Sequence, residues 1–135
     1  MGQLQKRNDK LYRRVVSWEE IPEEYVRPGV HRRGYATDEV MLMWNVVEQG
    51  MELKPHTHED FDQLVCIFEG SCNYYVDGTP HEMGPGSMML VPAGSEHYIE
   101  PIDSPCANLD LFVPPRADYA ASLEWIAKLG AAGTG

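Results

Sequence analysis

The sequence predicts an all-β protein, a closed barrel or jelly roll. Short apolar segments separated by turn signals run along most of the chain, those segments are apolar on both faces, and only one stretch near the C-terminus carries a helical pattern. With 135 residues and 43% hydrophobic content, the chain suffices for one core but not comfortably for two. A single domain is expected over 1–135, with its core at about 30–115, an N-terminal arm at 1–29, and a C-terminal helix and tail at 116–135.

Leu11 to Val16 reads as a first strand, and Ser17-Trp18-Glu19-Glu20 as a capping-box-like turn closed by Pro22, together forming an arm against the core. Val30 to Ala36 and Glu39 to Val47 read as strands. The second sets Met41, Met43 and Asn45 on one face and Leu42, Trp44 and Val46 on the other, so both faces should be covered. After Gly50, Leu53 to His58 leads into Phe61 to Phe68, where Gln63, Val65 and Ile67 alternate with Leu64, Cys66 and Phe68. Ser71 to Val76, the turn Asp77-Gly78 and Thr79 to Met83 form a hairpin. Ser87 to Val91, His97 to Glu100 and Ala107 to Val113 are the remaining strands, punctuated by Gly84-Pro85-Gly86, Pro92 to Gly94 and Pro114-Pro115. Asp118 to Leu129 is helical, with Asp118 as N-cap, Leu123, Ile126 and Ala127 on one face and Gly130 as the stop, and Ala131 to Gly135 frays.

The balance of 11 Lys and Arg against 21 Asp and Glu, a net charge of −10, repels phosphate backbones and anionic lipid heads. Neither a nucleic-acid nor a membrane partner is expected. No helix-turn-helix or basic recognition segment stands out, and the polar run from Met1 to Arg14 has no apolar stretch behind it, so the expected address is the cytoplasm. Cys66, Cys72 and Cys106 form an odd set without C-x-x-C spacing, which suits reduced structural thiols.

Chemistry concentrates in two blocks. His56-Thr57-His58 places two imidazoles on one side of an extended backbone, as period-two alternation requires, and that geometry can seat a metal ion. The spacing Gly50-x5-His56-x-His58-x4-Gln63-x6-Gly70, followed by Gly86-x5-Pro92-Ala93-Gly94-x2-His97, resembles the two motifs of the cupins. The resemblance covers about Val40 to Val113 and implies a cupin-type double-stranded β-helix. It also implies a divalent transition metal (Fe, Ni, Mn, Co or Zn) held by His56, His58, Gln63 and His97. Cupins usually place glutamate where this chain has Gln63. Asp62 is the alternative donor, but the six-residue gap before Gly70 and the parity of the strand favour Gln63, through its amide oxygen. Three neutral imidazoles and a neutral amide would leave the ion its full double charge and hence strong Lewis acidity. His31 and His81 read as surface residues, and Glu59 and Asp60 as a solvated turn.

On the last strand Asn108, Asp110 and Phe112 share a face, and a carboxylate in an apolar strand needs a reason because burying it unpaired is costly. If that face lines the barrel, Asp110 approaches the metal pocket and Arg116 offers an anion contact near the rim. The metal set and the Asp-x-Phe-x-Pro-x-Arg run resemble KdgF-type cupins, pectin-degradation proteins that help convert unsaturated monouronates into linear ketouronates. That likeness implies Asp110 as a proton-transferring group, Phe112 and Arg116 as pocket contacts, and an isomerase-, hydratase- or lyase-type reaction on a small oxygenated metabolite such as a sugar acid. Pairing of Asp110 with Arg116 is the structural alternative, while an iron dioxygenase and a non-catalytic binder of small ligands are the functional ones. Trp44, Leu64, Cys66 and Phe68 on an outer face would suit a homodimer, or equally an intramolecular sandwich.

Overall fold

The computed structural model describes residues 6–103 and 105–130, so the expectation of a frayed Ala131 to Gly135 falls outside the described residues. Two antiparallel sheets carry the architecture. The strands in chain order are β1 (Glu24–Arg27), β2 (Val30–Ala36), β3 (Met41–Val47), β4 (His56–Thr57), β5 (Gln63–Glu69), β6 (Cys72–Val76), β7 (Thr79–Met83), β8 (Met88–Val91), β9 (Glu96–Pro101) and β10 (Cys106–Phe112). Sheet order is β1-β2-β3-β10-β5-β8 in the larger sheet and β4-β9-β6-β7 in the smaller. The all-β expectation holds, and the expected strands after Val30 are present with ends shifted by a few residues, β4 being only a short remnant of Leu53 to His58.

Alternation decides what faces inward. Met41, Met43 and Val47 on β3, Gln63, Val65 and Ile67 on β5, and Asn108 and Phe112 on β10 are buried, and the residues that alternate with them form the convex face. One core cluster, with Val47, Val65, Ile67, Cys72, Tyr74, Met83, Val91 and Cys106, fills the space between the sheets. A second joins Leu11, Ala36, Met41, Met43, Phe112, Leu123 and Ile126 under the terminal segments. The Asp77-Gly78 turn has positive φ at both positions (49° and 81°), the mirror-image turn whose twist matches a two-residue hairpin. Gly70 has no alternative: a Cβ there would stand 2.6 Å from the Pro105 carbonyl oxygen, and φ is +73°.

Two expectations for the termini are corrected. Leu11 to Val16 is not a strand: a short helix α1 (Asn8–Leu11) precedes irregular chain and a 3-10 turn at Trp18–Glu20. Lys10 draws this arm onto the C-terminal segment by donating to the Ala127 and Leu129 carbonyls at 2.6 and 3.0 Å, a tertiary contact that local pattern cannot show. The strand of this region is β1 instead, too short for alternation to announce. Asp118 is not an N-cap, because Arg116 engages its carboxylate and the segment starts as a 3-10 helix, Ala117–Leu123, before α2 (Glu124–Ala127). Tryptophan anchors this segment: Trp125 Nε1 donates to Gly34 O at 2.8 Å, and Gly34 lacks the Cβ that would press on Ser122.

Candidate metal centre

Strand pairing assembles the histidines. His56 on β4 lies directly opposite His97 on β9, with ring centroids 4.2 Å apart, and His58 stands 5.0 Å from each. Potential ligand atoms of the three lie within 4.8 Å of one another, so they could hold a metal ion. Two ties fix the loops that carry them. Gly94 N donates to His58 O at 2.7 Å, and Ala93 N donates to Asp62 Oδ1 at 2.9 Å, so Asp62 turns away from the histidines and pins the Pro92-Ala93-Gly94 loop. At the other end Asp77 brackets Glu96, accepting from its N–H at 2.9 Å and donating to its carbonyl at 2.8 Å.

Hydrogen bonding aims the donor atoms. His97 Nδ1 lies 3.0 Å from Ser95 O and His56 Nδ1 lies 3.1 Å from Lys54 O. A carbonyl only accepts, so each Nδ1 carries a proton, which in the neutral ring leaves the lone pair on Nε2. Gln63, 2% exposed on β5, donates from its amide nitrogen to Tyr74 Oη at 3.3 Å, which leaves Oε1 as its free acceptor. His58 Nε2, His97 Nε2 and Gln63 Oε1 are buried and meet no partner among the described residues. Orphaned buried acceptors are costly unless something binds them, and a cation fits three that occur together with His56. Burial pushes the His58 imidazolium down to about 4, with the charge of Arg116 adding to the effect, and burial lowers His97 as well. Both rings are therefore neutral at pH 7, as metal ligands must be.

A cavity of about 240 Å3 adjoins this group, lined by His56, Gln63, Tyr74, Asn45, Asn108 and Asp110 and, across from them, by Val26, Arg27 and Arg32. Asp110 accepts from Asn45 Nδ2 and Asn108 Nδ2, each at 3.0 Å. Enclosure raises its pKa to about 7 against the pull of the Gln63, Asn45 and Asn108 amides. Arg116 does not pair with it. Its guanidinium donates to both oxygens of Asp118 at 2.9 and 2.6 Å and lies 4.2 Å over the Phe61 ring. Phe61 stacks on His58 at 4.9 Å, and Phe112, fully buried, meets both rings edge-on. Arg116 and Phe112 thus form a roof over His58, next to the cavity rather than in its lining. His31 sits between Glu23 and Glu48, and His81 is exposed.

Arg27, Arg32, Asn45 and Tyr74 did not stand out in the sequence. Asn45 was placed on the correct face of β3, and its polarity there was the available signal.

The family model of the AraC-like ligand binding domain matches residues 46–130, more than half of the chain. The chain belongs to this family. Pectin degradation protein KdgF of Dickeya dadantii is 24% identical over 108 residues, spanning 79% of this chain and 98% of that protein. The solved structure of KdgF from Halomonas sp. matches with a TM-score of 0.68 and 25% identity, over 74% of this chain and 92% of that one. An RmlC-like cupin from Shewanella frigidimarina matches with a TM-score of 0.69 and 24% identity, over 77% and 93%. This member of the family has the cupin fold, the double-stranded β-helix that its motif spacing implied. Among the described residues no helix is long and apolar enough to cross a membrane.

Proposed function

We propose that the protein is a metal-dependent enzyme that isomerises a small sugar acid, an unsaturated uronate, by acid/base chemistry. The observation that carries this reading is the set of buried, unpartnered acceptors on His58, His97 and Gln63, the last of which lines, with His56, the cavity that Asp110 also lines. The likeness to KdgF along most of both chains supports the substrate class. A divalent ion held by His56, His58, Gln63 and His97 would supply Lewis acidity undiminished by ligand charge.

The chain's own residues do the rest. Asp110, held by Asn45 and Asn108, takes the proton of the substrate's anomeric hydroxyl. The ring carbon–oxygen bond then breaks, with its electron pair passing to the ring oxygen as an enolate and an aldehyde forming at the anomeric carbon. Return of a proton to the neighbouring alkene carbon gives the ketone, so the composition is unchanged. Tyr74 fixes the amide of Gln63, and the roof of Phe61, Phe112 and Arg116 shields His58 from water.

Metal analysis of the purified protein and turnover of 4,5-unsaturated galacturonate, followed by loss of its conjugated double bond in the ultraviolet, test the reading. Stoichiometric metal with turnover that chelation abolishes is expected. Full turnover without metal, or none with metal bound, overturns it. The family's ligand-binding character favours one second reading, a binding module, which predicts tight binding of the same uronate without turnover. A homodimer through the convex face belongs to this proposal too, since Phe68, Met88 and Leu90 there are 48%, 66% and 60% exposed. A monomer in sedimentation velocity overturns it.

A further inference from the structure

The β1–β2 hairpin contains a bulge: Tyr25 pairs with His31 and Arg27 with Val30, leaving Val26 as the extra residue. In regular pairing Val26 would oppose Val30 on the inner face and Arg27 would turn outward. The inserted residue breaks that alternation, and Val26 and Arg27 both line the cavity. Two residues along β2 from Val30, on the same face, Arg32 lines it as well.

These two arginines differ in how they are neutralised. Arg32 Nε donates to Glu24 at 2.7 Å, and its guanidinium lies 4.8 Å over the Tyr119 ring. Arg27 has no carboxylate partner among the described residues: its side-chain hydrogen bond there runs from a terminal nitrogen to the Glu52 carbonyl at 3.3 Å, and its Nε is buried with no acceptor. In a chain of net charge −10, an arginine left without a carboxylate against a cavity calls for an anion. At about 240 Å3 the cavity is smaller than the roughly 300–1,000 Å3 of drug-sized sites, so it suits a single small acid.

We propose that Arg27, aimed into the cavity by the β1 bulge, is the specificity-determining residue that binds the carboxylate of a hexuronate, with the ligand's reacting oxygens directed to the histidine side. This rests on the sugar-acid reading above and adds the group that would read the acid. Planar guanidinium N–H groups match the two oxygens of a carboxylate, and the adjacent Arg32 adds positive potential without being free to pair.

Calorimetric titration of the protein as purified, with D-galacturonate and with neutral D-galactose, is the test. Galacturonate should bind at least about tenfold more tightly, as expected of a charge-assisted hydrogen bond. Arg27→Met should erase that preference and leave galactose binding and metal content unaltered, while Arg27→Lys restores part of it. Since the Arg27 side chain makes a single hydrogen bond among the described residues, Arg27→Met should leave the Tm within about 2 °C, whereas a structural role would lower it by roughly 4 °C or more. An equal preference for galacturonate in Arg27→Met, or none in the native protein, overturns the proposal. Turnover is read separately: loss of uronate turnover with Arg27-dependent binding intact sinks the enzymatic reading alone, and an unchanged KM in Arg27→Met sinks this one alone.

Discussion

The two faces of the six-stranded sheet make opposite choices. Its concave face is largely buried around the cavity, and part of it is polar: Gln63, Asn108 and Asp110 sit among Met41, Met43, Val65 and Phe112. Its convex face is apolar almost throughout, with Trp44 between Trp18 and Phe68 at 5.4 and 5.3 Å, and yet it is partly open. Apolar burial alone would have reversed this arrangement. Among the described residues the Gln63 amide oxygen on this face and the Nε2 atoms of His58 and His97 outside it are buried without partners, each lowering stability by about 1–3 kcal/mol, so the fold gives up stability around the candidate metal centre.

The largest effect should come from the candidate metal centre, where the opposite sheet meets the concave face. His97→Ala on β9 removes a candidate ligand that is 1% exposed and anchored to Ser95, and we expect loss of stoichiometric metal, measured by elemental analysis, with turnover below detection. Asp110→Asn comes next. Turnover should fall about 10²–10⁴-fold with the metal retained. The same variant has a signature in the metal-free protein. Because the folded pKa is raised from 3.8 to about 7, the contribution of Asp110 is fully present below about pH 4 and is lost as pH rises through 7. Stability of Asp110→Asn relative to native should therefore rise by about 4 kcal/mol between those limits, read from urea melts at each pH. A flat difference would show that the carboxyl titrates normally.

Gln63→Glu sharpens the comparison more gently. A carboxylate at this position should strengthen metal retention against a chelator and weaken Lewis acidity, lowering turnover roughly tenfold to a hundredfold. Unchanged turnover would mean that the neutral amide is irrelevant to the chemistry.

Much of the concave face was legible because it rests on short-range regularities. Period two placed Gln63, Val65, Asn108, Asp110 and Phe112 on their faces, and glycine and proline spacing brought His56, His58 and His97 into one set. Arg27 was hidden for a definite reason: β1 is only four residues long and carries a bulge, so alternation neither announces the strand nor assigns this residue a side. Arg116 points the other way. Its offset from Asp110 invited an anion contact, but Asp118, two residues on, satisfies the fork locally, a pairing that spacing from the motif does not reveal. The arm failed similarly, since Lys10 finds its acceptors at Ala127 and Leu129, across the whole length of the chain.

The smallest effect is the one that decides what the convex face is for. Val91 and Leu90 are neighbours on β8; Val91 is 1% exposed against Gln63, and Leu90 is 60% exposed against Leu64. Val91→Ser leaves a void and buries a hydroxyl, and should cost about 2–3 kcal/mol at any protein concentration. In a lone chain Leu90→Ser removes little buried surface and should stay within about 0.5 kcal/mol of native. If a second copy covers the face, the same serine gains a cost that grows with protein concentration, because association stabilises only the native protein. Melts of both variants across a hundredfold range of concentration separate the cases: parallel shifts leave the convex face to solvent, and a concentration-dependent gap confined to Leu90→Ser makes it the dimer surface.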